Sequence, residues 1–314
     1  MARKYTNDMH KQLSAVMRFL GVCLLFAIPV AIALGIGEWL MRTRVPNPFQ
    51  FKHTRLSENS ADIKTLVLGS SHTYYGISPK ELGDSAFNLA SISQIFHYDW
   101  LLLSGYEFPN LRTVILPVSY FSFFDHEFEE TESWGLVVNY KVYMDINTHS
   151  DFSKYNFELS RPEIYTKKLR ALVFSKPLSC DSLGFGLDYG LSKRSQRWED
   201  TWMRTVSGHT AIDWDAVPGH VDYLGRIAEY CKDRGVRLVL ITTPTWHKYY
   251  EHLDDAQLER TYELVDSFSE KYELVYLDYL KDGRFNKDDF YDTDHLSTEG
   301  ALKFSKILRK DLKL

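Results

Sequence analysis

Between Phe19 and Gly37 the chain carries no charged residue, a run of 19 flanked by Arg18 and Glu38. As a helix rising about 1.5 Å per residue it reaches roughly 28 Å, close to the hydrocarbon thickness of a bilayer. Pro29, Gly21, Gly35 and Gly37 are tolerable there, because neighbouring groups satisfy the freed backbone. Trp39 stands where an interfacial aromatic belongs. A cleaved signal peptide has a shorter apolar core, about 7–15 residues, followed by a small-x-small site. This run is longer and continues into Glu38-Trp39-Leu40-Met41-Arg42. A buried soluble helix would show a polar face, and none occurs here. Cys23, preceded by Val22 and followed by more apolar sequence, does not form a lipoprotein site.

The expectation is a cytoplasmic stub at 1–18, one uncleaved transmembrane helix at 19–40 and a polar connector at 41–61. Arg3, Lys4, Lys11 and Arg18 precede the run, and Arg42, Arg44, Lys52 and Arg55 follow it, so basic residues do not orient it. A short leading flank and a long following region, which translocates largely regardless of charge, place residues 41–314 outside the cytoplasm at a cell membrane.

Beyond Ala61 short apolar runs recur: Ile63–Leu68, Ala86–Leu89, Arg112–Val118, Val236–Thr243 and Glu273–Asp278. Each is rich in Val, Ile, Leu or Thr and bounded by Gly, Pro, Asp or Asn, which reads as five strands. Helical spacing separates most of them, over Gln94–Tyr106, Val221–Arg234, Gln257–Tyr272 and Thr298–Leu312, with Gly235 as a stop signal. Alternation of this kind predicts an α/β domain over 62–314, a three-layer sandwich with a five-stranded parallel sheet. About one hundred residues, 119–220, interrupt the pattern. They carry Phe121, Phe123, Phe124, Phe128, Trp134, Tyr140, Tyr143, Trp198 and Trp202. This aromatic-rich insertion is either a lid or substrate platform, or a small core of its own.

Composition narrows the function. With 37 Lys and Arg against 42 Asp and Glu the net charge is −5, without the basic footprint of a nucleic-acid binder. Cys23, Cys180 and Cys231 form neither a disulfide framework nor a C-x-x-C pair.

Ligands of open parallel sheets bind beyond the carboxyl ends of the strands. There the sequence places Gly69-Ser70-Ser71-His72 after strand one, Asn88-Leu89-Ala90-Ser91 after strand two and Ser119 after strand three. Thr243 to His247 follow strand four, and Asp292-Thr293-Asp294-His295 precede the last helix. A serine hydroxyl becomes a competent nucleophile when a neighbouring base accepts its proton, and histidine does this near neutral pH. An acid three residues before the imidazole can share one side of a helical turn with it and hold its tautomer. Asp294 is a second candidate acid. Ser70 or Ser71 could instead cap a helix. Asp292, Asp294 and His295 could bind a metal, although no H-E-x-x-H or Cys/His set accompanies them.

The arrangement resembles the SGNH/GDSL hydrolase superfamily, serine esterases and acyl transferases on a flavodoxin-like sheet, across most of residues 63–118 and 236–314. The resemblance implies Ser71 as nucleophile, His295 as base and Asp292 as orienting acid. Ala90 stands where the second block usually has Gly, and with Ser71 it would form an oxyanion hole. The Asn of the third block is replaced by Ser119, so either the hole has fewer side-chain donors, or Asn88, Ser119 or the insertion contributes one. His72 is expected at the rim of the site, and Ser70, His72, Thr243 and His247 as substrate contacts, with a surface turn the equal alternative for His247. No cofactor and no metal are implied.

The stretches GSSHTYYGI, FNLAS and DTDHLSTEGA are most similar to the membrane-anchored bacterial branch of that superfamily, which includes the D-alanyl-lipoteichoic-acid transfer protein and alginate and cellulose O-acetylation factors. Such proteins often work beside a membrane-bound O-acyltransferase. The resemblance therefore implies transfer or removal of a small acyl group, acetyl foremost, on a cell-surface polysaccharide. A non-catalytic partner or scaffold of that acyltransferase, and a carbohydrate-binding surface protein, are the alternatives.

Overall fold

The computed structural model describes residues 2–83, 85–128, 134–146, 153–174, 177–210 and 213–314. In chain order the helices are α1 (Ala2–Arg44), α2 (Pro48–Asn59), the single turns α3 (Ser71–Tyr74) and α4 (Pro79–Leu82), α5 (Phe96–Gly105) and α6 (Gly135–Tyr143). They continue as α7 (Pro162–Phe174), α8 (Trp202–His209), α9 (Val217–Asp233), α10 (His247–Tyr250), α11 (Asp255–Tyr272) and α12 (Thr298–Leu312). Two compact units result: residues 1–46 with 151–176, and residues 47–150 with 177–314. The aromatic-rich stretch is thus divided, its middle going with α1 and its two ends with the sheet.

In the first unit, α1 is long and apolar enough to cross a membrane, with mean hydropathy 2.7 over its most apolar window. Its apolar side chains, Phe19 and Phe26 among them, are exposed. Helix begins at Ala2, so the expected stub continues the same element without a break.

The second unit is built on strands β1 (Thr65–Val67), β2 (Ala86–Asn88), β3 (Thr113–Pro117), β4 (Arg237–Thr242) and β5 (Val275–Asp278). They form one all-parallel sheet in the order β2-β1-β3-β4-β5. This is the expected flavodoxin-like α/β architecture. Every strand lies within its sequence-predicted range and is shorter. β3 is buried throughout, as a central parallel strand covered on both faces must be. Val67, Ile115, Val239 and Ile241 meet Phe304 and Leu308 of α12 in one core cluster.

The connector is not an extended link. Asn47 accepts from the N–H groups of Phe49 (2.8 Å) and Gln50 (3.4 Å), Pro48 occupies the first turn, and α2 follows. Its inward positions Phe49, Lys52 and Leu56 fall at helical spacing, but polar neighbours mask the period. Helix α9 begins four residues before its apolar repeat because Pro218 initiates it.

Much of the aromatic content joins the core of this unit. Phe123 meets Phe96 of α5 edge-on at 5.4 Å, and Tyr140 and Phe128 flank Tyr98 at 4.2 and 4.7 Å. Burying such rings releases water, and the Phe96–Phe123 pair adds edge-to-face attraction.

The turn after β1 depends on Gly69. Its φ is +101°, and a Cβ there would lie 2.1 Å from Cγ of Pro117. Gly69→Ala is expected to lower stability by about 2–4 kcal/mol, from left-handed strain plus the clash. The urea midpoint of the full chain in detergent checks this, and an unchanged midpoint would mean that the turn relaxes freely.

Candidate active site

The site is assembled at the carboxyl ends of β1 and β3 and in the loop before α12. Ser70 caps α3, its Oγ accepting from the N–H of His72 at 3.4 Å. That assigns the capping role to Ser70 and leaves Ser71 at the first helical position. Thr73 Oγ1 donates to the carbonyl of Leu68 at 2.7 Å, closing the turn. Gly69 N–H donates to Oδ1 of Asp99 (2.7 Å), which also accepts from Gln94 (2.6 Å). Burial pushes the Asp99 carboxyl up to about 7, against those two hydrogen bonds.

Ser71 Oγ stands 2.8 Å from Nε2 of His295 although the two are 224 residues apart. His295 Nδ1 lies 3.0 and 3.1 Å from the two oxygens of Asp292. The 292–295 segment is a loop rather than a helical turn. Asp292 Oδ1 accepts from the backbone N–H groups of Asp294 (3.2 Å) and His295 (2.8 Å), so one carboxylate shapes the loop and meets the imidazole. Asp294 Oδ2 is farther from His295 Nδ1, at 3.4 Å.

Asp294 instead serves His72, whose Nε2 lies 3.1 Å from Oδ2. Nδ1 of His72 is 2.8 Å from Ser119 Oγ. A carboxylate can only accept, so Nε2 carries the hydrogen and Nδ1 accepts from the serine. A second Ser–His–Asp chain, Ser119–His72–Asp294, therefore runs beside the first, with the two imidazole centroids 4.8 Å apart. His72 is buried, not at a rim: the expected substrate contact is an internal hinge of the network.

The electrostatics follow from crowding. Burial opposes charge on His295, but Asp292 and then Asp294 outweigh it and hold the imidazole well above its ordinary value. Burial raises Asp294 too, yet His295 and the hydrogen bonds from both imidazoles hold it well below the carboxylate range. Asp292 is raised, by burial and by the charge of Asp294. Burial lowers His72, which stays neutral.

Other expected positions have different partners. Asn88 donates to the carbonyls of Thr73 (2.8 Å) and Ile77 (2.9 Å), and its Oδ1 accepts from Ala90 N–H at 3.0 Å. Both expected oxyanion donors thus face inward, tying the β2 loop to α3. Ser119 N–H donates to Ser122 Oγ at 2.8 Å. The backbone N–H of Ser71, in the first turn of α3, has no carbonyl four residues earlier in the helix to bond. His247 pairs with Glu251 at 3.1 Å on the surface, and Thr243 is buried just beyond β4, so neither joins the Ser71–His295 cluster.

Sequence reasoning did not single out three contributors. His209 of α8 lines the cleft over Ser71, with Nδ1 2.9 Å from Tyr249 OH, and burial lowers it to about 4. Tyr189 sets its ring edge toward His295, centroids 5.2 Å apart, while stacked between Tyr75 (3.7 Å) and Tyr291 (4.2 Å). Asp99 anchors the Gly69 turn. None sits in a short motif. The cleft holds about 280 Å³, with Ser71, Ser93, Ile95, Phe121 and His209 among its walls.

His72, Asp294 and His295 each offer one ligand atom within 4.8 Å of the others, close enough to converge on an ion. Those atoms are already hydrogen-bonded to one another and to neighbours. Chemically, the arrangement can take a proton from Ser71 as its oxygen attacks a carbonyl, since nucleophile, base and acid lie within hydrogen-bond reach.

No family model matches the chain, and no curated protein matches it. Among solved structures it is similar to a Streptococcus pneumonia protein provisionally named a platelet activating factor, at 11% identity over 91% of this chain and 99% of that one, TM-score 0.43. It is also similar to a provisionally named lipolytic protein of the G-D-S-L family from Desulfitobacterium hafniense, at 9% identity over 79% and 98%, TM-score 0.39. A carbohydrate acetylesterase family member from Sinorhizobium meliloti aligns at 10% identity over 80% and 98%, TM-score 0.35. At these identities and scores the likeness carries no weight for function, and the chemistry rests on the side chains themselves.

Proposed function

We propose that this chain is a membrane-anchored serine acyl hydrolase or O-acyltransferase of the SGNH type, acting on small acyl groups, acetyl foremost, of a cell-surface glycan. One observation carries the reading: Ser71, His295 and Asp292 form a hydrogen-bonded line of 2.8 and 3.0 Å at the carboxyl edge of a parallel sheet.

Ser71 Oγ attacks the acyl carbonyl while its proton passes to His295 Nε2. The tetrahedral oxyanion forms near the Ser71 N–H, and a preorganised donor there is worth about 3–4 kcal/mol. Collapse transfers the proton from Nε2 to the departing alkoxide and leaves an acyl-serine. Water or a glycan hydroxyl, deprotonated by the same imidazole, then resolves it. The tether supports a surface substrate, since confinement raises the effective concentration of membrane-proximal chains. A membrane-bound O-acyltransferase is the acyl source that a transferase reading expects.

The purified full-length protein should turn over p-nitrophenyl acetate and place an acetyl group on the peptide containing Ser71. Acetate release from an O-acetylated polysaccharide identifies a hydrolase, and acetylation of a deacetylated one a transferase. An intact protein that never gains acetyl mass from the activated ester would remove the proposal.

A further inference from the structure

Within the unit that contains α1, the end of the apolar helix grips a second segment. Glu38, the first charge after the apolar run, accepts at Oε1 from the N–H of Glu158 and at Oε2 from that of Leu159, both at 2.9 Å. Arg42 donates to the carbonyl of Asn156 at 2.6 Å and to Glu38 at 2.6 Å. The Leu159 side chain lies against Gly37. These contacts hold residues 156–159 level with the point on α1 where apolar sequence gives way to charge. That point is the boundary between hydrocarbon and headgroups if α1 spans a bilayer.

Helix α7 starts three residues later and packs against α1. Its inner positions are Lys168, paired with Glu158 at 2.5 Å, and buried Ala171. Its outer face is unusual for a soluble helix: Leu169, Val173 and Phe174 are 53%, 73% and 79% exposed. Leu169 and Val173 share one stripe at a spacing of four, and Lys167 and Arg170, both exposed, lie beside it. Three large apolar groups in water would forfeit most of their transfer free energy, whereas an interfacial helix uses this combination of apolar stripe and flanking cations.

We infer that α7 is a second membrane-contacting element, an interfacial helix whose Leu169, Val173 and Phe174 enter the acyl boundary while Lys167 and Arg170 meet lipid phosphates. The occupant of this face is the lipid surface itself. Continuity with α1 through the Glu38 clamp and the charge of the flanking residues select it over a protein partner. The inference goes beyond the chemistry proposed above and rests only on its membrane span.

The full chain reconstituted in vesicles tests it with an environment-sensitive NBD label. Cys180 and Cys231 are buried, so native Cys23 in α1 reports the span, and Val173→Cys in a Cys23→Ala background reports α7. Quenching by lipid-borne nitroxide is expected at both positions, with iodide quenching at 173 reduced about threefold or more against free NBD-cysteine. Quenching at 173 should be stronger in vesicles containing phosphatidylglycerol than in phosphatidylcholine alone. Lipid contact at Cys23 with free iodide access at 173 overturns the inference and leaves the span intact. Water access at Cys23 overturns the span and the inference with it. Protection at 173 that vanishes at one chain per vesicle assigns the face to a second copy and overturns it. Equal quenching in the two lipids overturns the phosphate contacts.

Discussion

Ser71→Ala is expected to abolish covalent capture by a fluorophosphonate probe and to lower kcat/KM for activated acetyl esters by about 10³-fold or more. The size of the effect follows from the geometry. Ser71 is the hydroxyl at hydrogen-bond distance from His295 that also lines the cleft. Ser70 points its oxygen into the backbone of α3, and Ser119 is bound to His72. Neither can take over attack. His295→Gln should cost as much, and the double variant no more than either single one, because the nucleophile and its base act as one unit. Undiminished probe labelling of Ser71→Ala would locate the nucleophile elsewhere and end the proposed reaction.

The two carboxylates around His295 should separate in their effects. Asp292 lies closest to Nδ1 and orients the ring, so Asp292→Asn is expected to lower kcat/KM by about 10³–10⁴-fold. Asp294 contributes charge more than orientation, since its nearest imidazole contact is His72 at 3.1 Å. His295 must be neutral to act as a base, and the two carboxylates hold its pKa well above 6.5. The rate should therefore fall as pH drops through that raised value, leaving activity on the alkaline side. Asp294→Asn removes the more firmly ionised carboxylate, so the pKa of His295 drops. Its acid limb should move to lower pH, by on the order of one unit. A pH profile of kcat/KM for each variant checks both outcomes. A larger rate loss in Asp294→Asn than in Asp292→Asn would reverse the assignment of the orienting acid.

His72 shows how far local sequence reading reaches. Next to the serine motif it invites reading as a substrate contact. Burial and two partners from distant segments, Ser119 and Asp294, make it an internal link instead. Asn88 and Ala90 differ in the same way. Their position after β2 is plain from the apolar pattern, but the side-chain amide closes on the Ala90 N–H and on the carbonyls of Thr73 and Ile77. Hydrogen-bond satisfaction inside a core is decided by whichever group folds within reach, and sequence distance carries no trace of it.

The sequence by itself determined the parts that depend on local periodicity. These are an apolar run long enough for a bilayer, five short strands, and the helices that force a parallel sheet. It also determined which chemistry-bearing types stand at strand ends, because a turn must follow each strand and small or polar residues form turns. The tertiary structure alone decided which of those residues meet: Ser71 with His295, Asp292 rather than Asp294 on Nδ1, His72 inside the network, His209 in the cleft wall and Tyr189 against the His295 imidazole. Those pairings span up to 224 residues and depend on crossover packing that juxtaposes strand ends. Tertiary packing also turned the polar connector into α2 and tied residues 156–159 to Glu38. Burial of Phe49 and Leu56, and unpaired backbone N–H groups seeking an acceptor, decided those outcomes against what their polar surroundings suggest.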